Sequence, residues 1–298
     1  MKRCSKSALA RELKISRGML YYKHRRPETD EALRVLIESV LLKHPGYGHR
    51  RVAEELKINR KRARRVMRRY GLKPPRRSKT PRKPLDENKV PQSFPDITRK
   101  ICPIAPDELW VSDFTFIPFH GAFIYFATIL DAFTREVLGL AIMRTHSAEL
   151  VCRALHMAIS GAEKTPAWCH SDQGSEYDSD EYQRILKAHH IGISMSPKAS
   201  PWRNGKQESF FGRFKVEFGD PERFETLPEL MEAIYRAVAY YNSERIHSWH
   251  RATPMNAREK WNQNFKRFST GYQSPPHPLC PPSTACSHRP ACAALELA

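Results

Sequence analysis

The sequence predicts a mixed α/β layer fold preceded by an all-α region. Three β-rich runs, at about 109–117, 122–130 and 136–143, are separated by the short turns HG and DAFTRE, a pattern typical of an antiparallel meander. Helical and strand-like segments then alternate as far as about residue 242. The first 72 residues contain helical patterns only. A meander followed by helix–strand alternation predicts one sheet with helices on its faces.

The α/β part continues beyond the meander with six further elements. SAELVCRALHMAISGA predicts a crossover helix, AWCHSD a short buried strand, and a helix covers about 179–189. IGISMS then supplies a fifth strand, and helices are expected at about 205–218 and 228–242. The sheet is therefore expected to have five strands.

Two helix pairs are expected in the N-terminal region. SALARELKISRGMLYY, at 7–22, predicts two short helices around a tight turn, and Asp30 is expected to open a long helix. HRRVAEELKINRKRARRVMRRYGL predicts the second pair, in which Asn59 can cap the second helix. The apolar stripe of the long helix is expected to contain Leu33, Leu36, Ile37, Val40 and Leu41.

The positive charge of the chain is concentrated at its start. Residues 1–80 hold 25 Lys and Arg against 7 Asp and Glu, whereas the remainder is balanced at 25 of each. Such asymmetry favours binding to a polyanion. Nucleic acid is the favoured polyanion, and a membrane surface is the weaker alternative. Between Arg60 and Arg69 there is no acidic residue; a solvated basic face is the alternative, but a helix that contacts DNA phosphates is favoured. Its expected DNA-binding residues are Arg62, Arg65, Arg68 and Arg69.

Composition divides the chain into four predicted parts. They are a helical DNA-binding region at 1–72, a basic Pro-rich linker at 73–100, a globular α/β core at 101–262 and a disordered tail at 263–298. The chain has no long uncharged apolar run, and its seven cysteines form no CxxC pair. We therefore expect no membrane span, no disulfide framework and no zinc ribbon. The sequence instead predicts a soluble intracellular protein.

Three carboxylates stand out in the α/β part. Asp113 lies inside the first strand, Asp172 follows the buried strand AWCH, and Glu208 lies on the helix after the fifth strand. Each has an ordinary structural alternative: an edge-strand residue, a turn cap and a surface helix residue. Together they are the components of a two-metal site, because Mg²⁺ prefers carboxylate oxygens and two such ions catalyse phosphoryl displacement without a protein nucleophile.

The spacing of these residues carries a family resemblance. Asp172 and Glu208 are separated by 35 residues, and Lys215 follows Glu208 by seven. This pattern resembles the D,D(35)E core of retroviral integrases and of IS3-type bacterial insertion-sequence transposases. Four segments resemble motifs of the transposase branch: WVSDFTFI, HSDQGSEY, ESFFGRFKVE and YNSERIHSWHRATP. Within that branch, the chain resembles the product of the second reading frame of an insertion sequence. The resemblance implies an RNase H-like mixed five-stranded sheet with flanking helices.

The same resemblance implies an activity. The implied activity is that of a DDE polynucleotidyl transferase, which cleaves DNA at the ends of the insertion sequence and transfers strands with a 3′-OH nucleophile. Asp113, Asp172 and Glu208 would be catalytic and would coordinate two Mg²⁺ ions, with Mn²⁺ able to substitute. Lys215, with Lys206 and Arg203, would contact DNA phosphates, whereas Phe210 and Phe211 are expected to be core residues rather than base-stacking groups.

Partners and location follow from this resemblance as well. Double-stranded DNA is the expected partner, both as terminal repeats and as target, bound by a homo-oligomer in the bacterial cytoplasm at the nucleoid. The resemblance also implies a companion polypeptide from an upstream reading frame, or a fusion to one, which agrees with the lack of a sustained heptad repeat in this chain. Three alternatives remain open: a DNA-binding regulator or inactive transposase remnant, an RNase H-like nuclease, and a structural DNA-bridging protein.

Overall fold

The computed structural model describes residues 5–21, 26–75, 94–99, 101–197 and 204–269. The chain separates into two compact units, Met1–Pro75 and Arg76–Ala298. Most of the predicted linker lies outside the described residues, but at its end Ile97 is buried in the core of the second unit. The four-part division of the chain stays a prediction.

The described residues of the first unit contain four α-helices. They are α1 (Lys6–Glu12), α2 (Arg26–Lys43), α3 (His49–Glu55) and α4 (Arg60–Arg69). A 3₁₀ turn at Arg17–Tyr21 stands where a second short helix was expected. Helix α2 begins at Arg26 rather than at Asp30; Pro27 does not prevent this, because the first turn of a helix tolerates proline.

A small apolar core joins α2, α3 and α4, with Ile37, Val52 and Val66 fully buried. Leu36 was expected in this core but is 53% exposed, because only the stripe of Leu33, Ile37 and Val40 is covered. The predicted cap of α4 is confirmed, since the Asn59 side chain accepts a hydrogen bond of 2.8 Å from the Lys61 backbone N–H.

Asp30 is a buried carboxylate within this unit. Its side chain is 2% exposed and lies 2.5 Å from Nη2 of Arg65 and 3.5 Å from Nη1 of Arg69. The hydrogen bond from Arg65 lowers the pKa of Asp30 against the opposing effect of burial. Two arginines of α4 are therefore tied to α2 by one buried charge.

The second unit contains the predicted five-stranded mixed sheet. Its strands are β1 (Leu109–Phe119), β2 (Ala122–Asp131), β3 (Val137–Met143), β4 (Trp168–Ser171) and β5 (Gly192–Met195), in the order β3-β2-β1-β4-β5. Pairing is antiparallel among β1, β2 and β3 and parallel from β1 through β4 to β5. The predicted HG turn is confirmed: His120 and Gly121 have φ of 46° and 74°, as a two-residue hairpin loop requires.

Helices cover both faces of this sheet. On one face lie α5 (Ala148–Gly161) and α6 (Asp180–Ala188), packed on Trp110 and Ile129. On the other lie α7 (Gly205–Phe218) and α8 (Leu227–Ser243), packed on Val111 and Phe126. Phe210 and Phe211 of α7 are 3% and 6% exposed, which confirms their expected role in the core.

A ninth helix, α9 (Pro254–Ser269), was not predicted. Arg258 anchors it, with Nε 2.5 Å from Oε2 of Glu136 and Nη1 2.5 Å from Oδ2 of Asp107. Trp261 packs edge-on against Phe133 at a ring-centroid distance of 5.3 Å. The helix continues to Ser269, so residues 263–269 of the predicted tail are helical, and 270–298 lie outside the described residues.

None of the helices in the described residues combines the length and apolar character needed to cross a bilayer.

Candidate active site

The pairing of β1 with β4 brings Asp113 and Asp172 together. Val111 of β1 pairs with His170 of β4 in parallel register. Two positions further along each segment are Asp113 and Asp172. Since side chains two apart lie on the same face of a sheet, the register places the two carboxylates side by side. Asp113 lies opposite Thr128 on the other neighbouring strand, β2.

Glu208 reaches the same place from α7. It lies in the first turn of this helix and is exposed, whereas Phe211 and Phe214 of the same helix pack on Phe126 of β2. The helix therefore lies on the sheet with its first turn over the middle of β1. The structure thus brings all three predicted carboxylates into one neighbourhood.

The electrostatics of Asp113 reflect that neighbourhood. Burial of its carboxyl group, then repulsion by Asp172 and by Glu208, raises the pKa of Asp113 to about 7, although Oδ1 accepts a 2.9 Å hydrogen bond from the Phe114 N–H. Partial burial also raises the pKa of Asp172, with Glu176 adding repulsion and the Gly174 N–H opposing it. The negative charges of Asp113, Asp172 and Glu208 are therefore close enough together for both neighbours to repel Asp113.

This donor set suits a hard divalent cation. A bound Mg²⁺ would relieve the mutual repulsion of the carboxylates, and it is usually held by one or two protein carboxylates with water and substrate phosphate completing its shell. Among the residues that the structure describes, no three His, Cys, Asp or Glu side chains form a ready-made metal site. An ion held by these carboxylates would have substrate phosphate and water as its remaining ligands.

The predicted basic residues of this unit have different surroundings. Lys215 is exposed, with its ammonium group 4.9 Å from the centre of the Phe116 ring. Lys206 is half-buried, and burial followed by repulsion from Arg135 lowers its pKa to about 8. Arg203 lies outside the described residues. Lys215 is thus an exposed cation on the helix that carries Glu208, as is Arg213.

The arginines of α4 fall into two classes. Arg65 and Arg69 pair with Asp30 inside the first unit, although their side chains remain 44% and 50% exposed. Arg62 and Arg68 are exposed, and Arg62 adds a weaker electrostatic attraction that helps to lower the pKa of Asp30. A role in DNA binding stays a prediction for all four.

Gln207 and Asn204 were not singled out from the sequence. Gln207 is fully buried, and its Nε2 donates to the carbonyl oxygens of Val111 and Thr128 at 2.6 and 3.0 Å. Nδ2 of Asn204 donates to the carbonyl oxygen of Ser112 at 3.0 Å. A signal for Gln207 exists in the sequence, because it occupies an inward position of the stripe completed by Phe210, Phe211, Phe214 and Phe218.

A second group of polar residues lines the Asp172 side. Nδ1 of His146 lies 2.7 Å from Oε1 of Glu176, and Glu176 is 8% exposed. Tyr177 is fully buried, and its hydroxyl group lies 3.2 Å from Oγ of Ser112. The segment HSDQGSEY therefore supplies both Asp172 and part of the shell behind it.

Comparison with known families gives matches across this unit. Two sequence models, both described as "Integrase core domain", match residues 103–201 and 189–254. Together they span the sheet, α7 and α8. The transposase for insertion sequence element IS904 of Lactococcus lactis is 31% identical over 76% of this chain and 94% of its own length.

Further relatives have the same character. The putative transposase InsK for IS150 of Escherichia coli is 32% identical, over 80% of this chain and 87% of the relative. The transposase InsF for IS3A of the same species is 30% identical, over 81% of this chain and 89% of the relative. A solved catalytic core domain of HTLV-2 integrase, in complex with magnesium, is 20% identical with a TM-score of 0.43, over 51% of this chain and 97% of that chain.

Proposed function

The chain belongs to the insertion-sequence transposases with an integrase core, and on that premise we propose that Asp113, Asp172 and Glu208 are its catalytic residues. The observation that carries the proposal is the convergence of the three side chains. The β1–β4 register sets Asp113 beside Asp172, and Glu208 of α7 is close enough that its charge, like that of Asp172, adds to the effect of burial in raising the pKa of Asp113. The activity proposed for this centre is DNA cleavage followed by strand transfer.

The role of each carboxylate follows from its place. Asp113 and Asp172 present oxygen ligands from neighbouring strands, and Glu208 presents one from the helix above them. Two Mg²⁺ ions, or Mn²⁺ in their place, would activate the attacking oxygen and stabilise the leaving oxygen of an in-line displacement. The first attack, by water, frees a 3′-OH at an element end; the second, by that 3′-OH, joins it to another phosphodiester. No covalent protein–DNA intermediate is needed.

The basic residues supply the DNA contacts. Lys215 lies near Glu208 on the same helix and would hold a phosphate beside the carboxylates, with Lys206 and Arg203 adding contacts nearby. The first unit would bind the terminal repeats through Arg62, Arg65, Arg68 and Arg69, in the manner of a helix-turn-helix. Joining two DNA ends calls for a homo-oligomer on target DNA at the nucleoid, and an upstream-frame companion polypeptide is part of the proposal.

An excision assay tests the catalytic assignment. A marker flanked by the DNA that borders the gene is supplied with the wild-type protein, with Asp172→Asn, or with the matched control Asp178→Asn. Asp178 is an exposed aspartate in the same loop region. Mg²⁺-dependent joined ends or excised circles are expected from the wild type and the control only.

The assay also separates this proposal from its alternatives. Excision by Asp172→Asn at the wild-type level would refute the assignment of Asp172. Cleavage of RNA–DNA hybrids without any joining would instead indicate an RNase H-like nuclease. Tight DNA binding with no product from any variant would indicate a regulator, a DNA-bridging protein or an inactive remnant.

A further inference from the structure

The residue next to Glu208 is a buried amide. Gln207 is 0% exposed and lies among phenylalanines on the inward side of α7. Its two donor contacts go to Val111 and Thr128, and its Oε1 accepts a 3.1 Å hydrogen bond from Oγ1 of Thr128. Burying an amide is unfavourable unless its polar atoms are paired, and here both the amide nitrogen and the amide oxygen are.

These hydrogen bonds end beside Asp113. Val111 precedes Asp113 by two residues on β1, and Thr128 is its cross-strand partner on β2. Asn204, just before α7, bonds to Ser112, the residue adjacent to Asp113. The start of the helix is therefore fastened to the two β1 residues that precede the proposed metal ligand and to the β2 residue that pairs with it.

Apolar packing alone would not fix the orientation of α7 on the sheet. Phe210, Phe211 and Phe214 hold α7 on the sheet, but contacts of this kind are non-directional and permit small rotations and shifts of a helix. The three hydrogen bonds of Gln207 are directional and fix the rotation of the first turn about the helix axis. That rotation sets where the next side chain, Glu208, points.

We infer that Gln207 is a positioning residue that holds Glu208 at the distance from Asp113 needed for both to bind the same divalent ions. The inference rests on the proposed function, because it assigns Gln207 to the same metal site. Gln207 itself does not touch the metal or the DNA. Partners that orient metal ligands in this way contribute about 10–100-fold to metal affinity or activity.

Binding of Mn²⁺ alone tests the inference without relying on turnover. Free Mn²⁺ is counted by electron paramagnetic resonance during titration of the full chain, for the wild type, Gln207→Met, Glu208→Gln and Asn242→Leu. Asn242 is the matched control: this α8 amide pins β3 by two hydrogen bonds of 3.0 and 2.8 Å to the backbone of Val137, away from the carboxylates.

Gln207→Met is expected to raise the Kd for Mn²⁺ by about tenfold or more. Asn242→Leu is expected to lower the unfolding temperature while leaving that Kd unchanged. If Gln207→Met is not folded, Thr128→Val removes one of the three hydrogen bonds and is expected to raise the Kd in the same direction by less.

The other results separate the two hypotheses. If folded Gln207→Met binds Mn²⁺ as tightly as the wild type does, the positioning role is overturned; if Gln207→Met does not fold, the same result for Thr128→Val overturns it. Weakened Mn²⁺ binding by Glu208→Gln would in either case still support the proposed metal site. Equal weakening by Asn242→Leu would also overturn it, because general destabilisation would then explain the change. Wild-type affinity in Glu208→Gln would overturn the proposed site and the inference with it.

Discussion

Arg245 donates two hydrogen bonds of 2.7 Å, from Nε and Nη2, to the two carboxylate oxygens of Glu217. The ion pair is largely buried, with 3% of the Arg245 side chain and 15% of the Glu217 side chain exposed. It joins the end of α7 to the chain just after α8, within the segment YNSERIHSWHRATP. One charged residue of that segment is therefore accounted for by a structural contact to the helix that carries Glu208.

Glu217→Gln is expected to destabilise the second unit strongly. The substitution leaves the buried Arg245 guanidinium without its counter-charge, and breaking a buried pair from one side costs about 3–5 kcal/mol. Urea unfolding followed by tryptophan fluorescence measures the free energy. The control is Glu232→Gln, whose partner Arg236 lies one turn away on the exposed face of α8; an equal loss from the control would contradict the prediction.

The Asp30 pair predicts a pH dependence in the first unit. Arg65 lowers the pKa of Asp30 below the unfolded value of about 3.9. The ionised pair therefore stabilises this unit above that pH, and its contribution disappears as the pH falls through the lower, folded pKa. Hydrogen exchange over residues 26–75 should show Asp30→Asn less protected than the wild type near neutrality.

The same comparison repeated below about pH 4 should show the difference narrowing, because the wild-type carboxyl group is then increasingly protonated. A difference that stayed constant down to pH 2 would mean that the amide disrupts packing rather than removing a charge.

Arg68 and Arg65 should separate DNA binding from stability. Arg68→Ala removes an exposed charge and is expected to reduce the slope of log K against log salt by about 1, with little change in unfolding temperature. Arg65→Ala should additionally lower protection of α2 and α4, because Asp30 loses its nearest partner. Binding to terminal-repeat DNA measured by fluorescence anisotropy across a salt series tests both. An unchanged slope for Arg68→Ala would exclude a phosphate contact there.

Gly139 predicts a steric limit on the sheet. A Cβ at this β3 position would lie 2.1 Å from the carbonyl oxygen of Ala154 and 2.6 Å from the backbone nitrogen of Ala158 in α5. Gly139→Ala should therefore destabilise by about 3 kcal/mol, toward the upper end of overpacking effects, or more. Gly161→Ala is the control, since a Cβ there meets nothing within 4 Å. Calorimetric unfolding temperatures compare the two, and similar values would refute the prediction.

Local signals were sufficient for much of the second unit. The HG dipeptide identified the β1–β2 hairpin, and Asp113 stood out because a carboxylate is unusual inside an aromatic strand. Those features depend on a few consecutive residues. The positions of Asp172 and Glu208 beside Asp113 depended on the family pattern as well, because strand order cannot be read from local periodicity.

The features that sequence did not reveal depend on distant contacts. Leu36 looked like a core residue by spacing, yet its exposure is decided by how much of α2 the neighbouring helices cover. Helix α9 owes its anchoring to Arg258, whose partners Asp107 and Glu136 lie far away in the chain. Arg65 was assigned to DNA on charge alone, and its ion pair with Asp30 spans 35 positions.

The anchoring of α7 to β1 changes the meaning of the 35-residue interval. Asp172 is held by its place after β4, and Glu208 by a helix whose fixed points, through Gln207, are Val111 and Thr128. Neither position is set by the length of polypeptide between them. An insertion in the turn between α6 and β5 would alter the number used to identify the pattern in a sequence while leaving the three carboxylates where they are. Searches for related enzymes can therefore relax that number, provided that an inward polar residue precedes the glutamate.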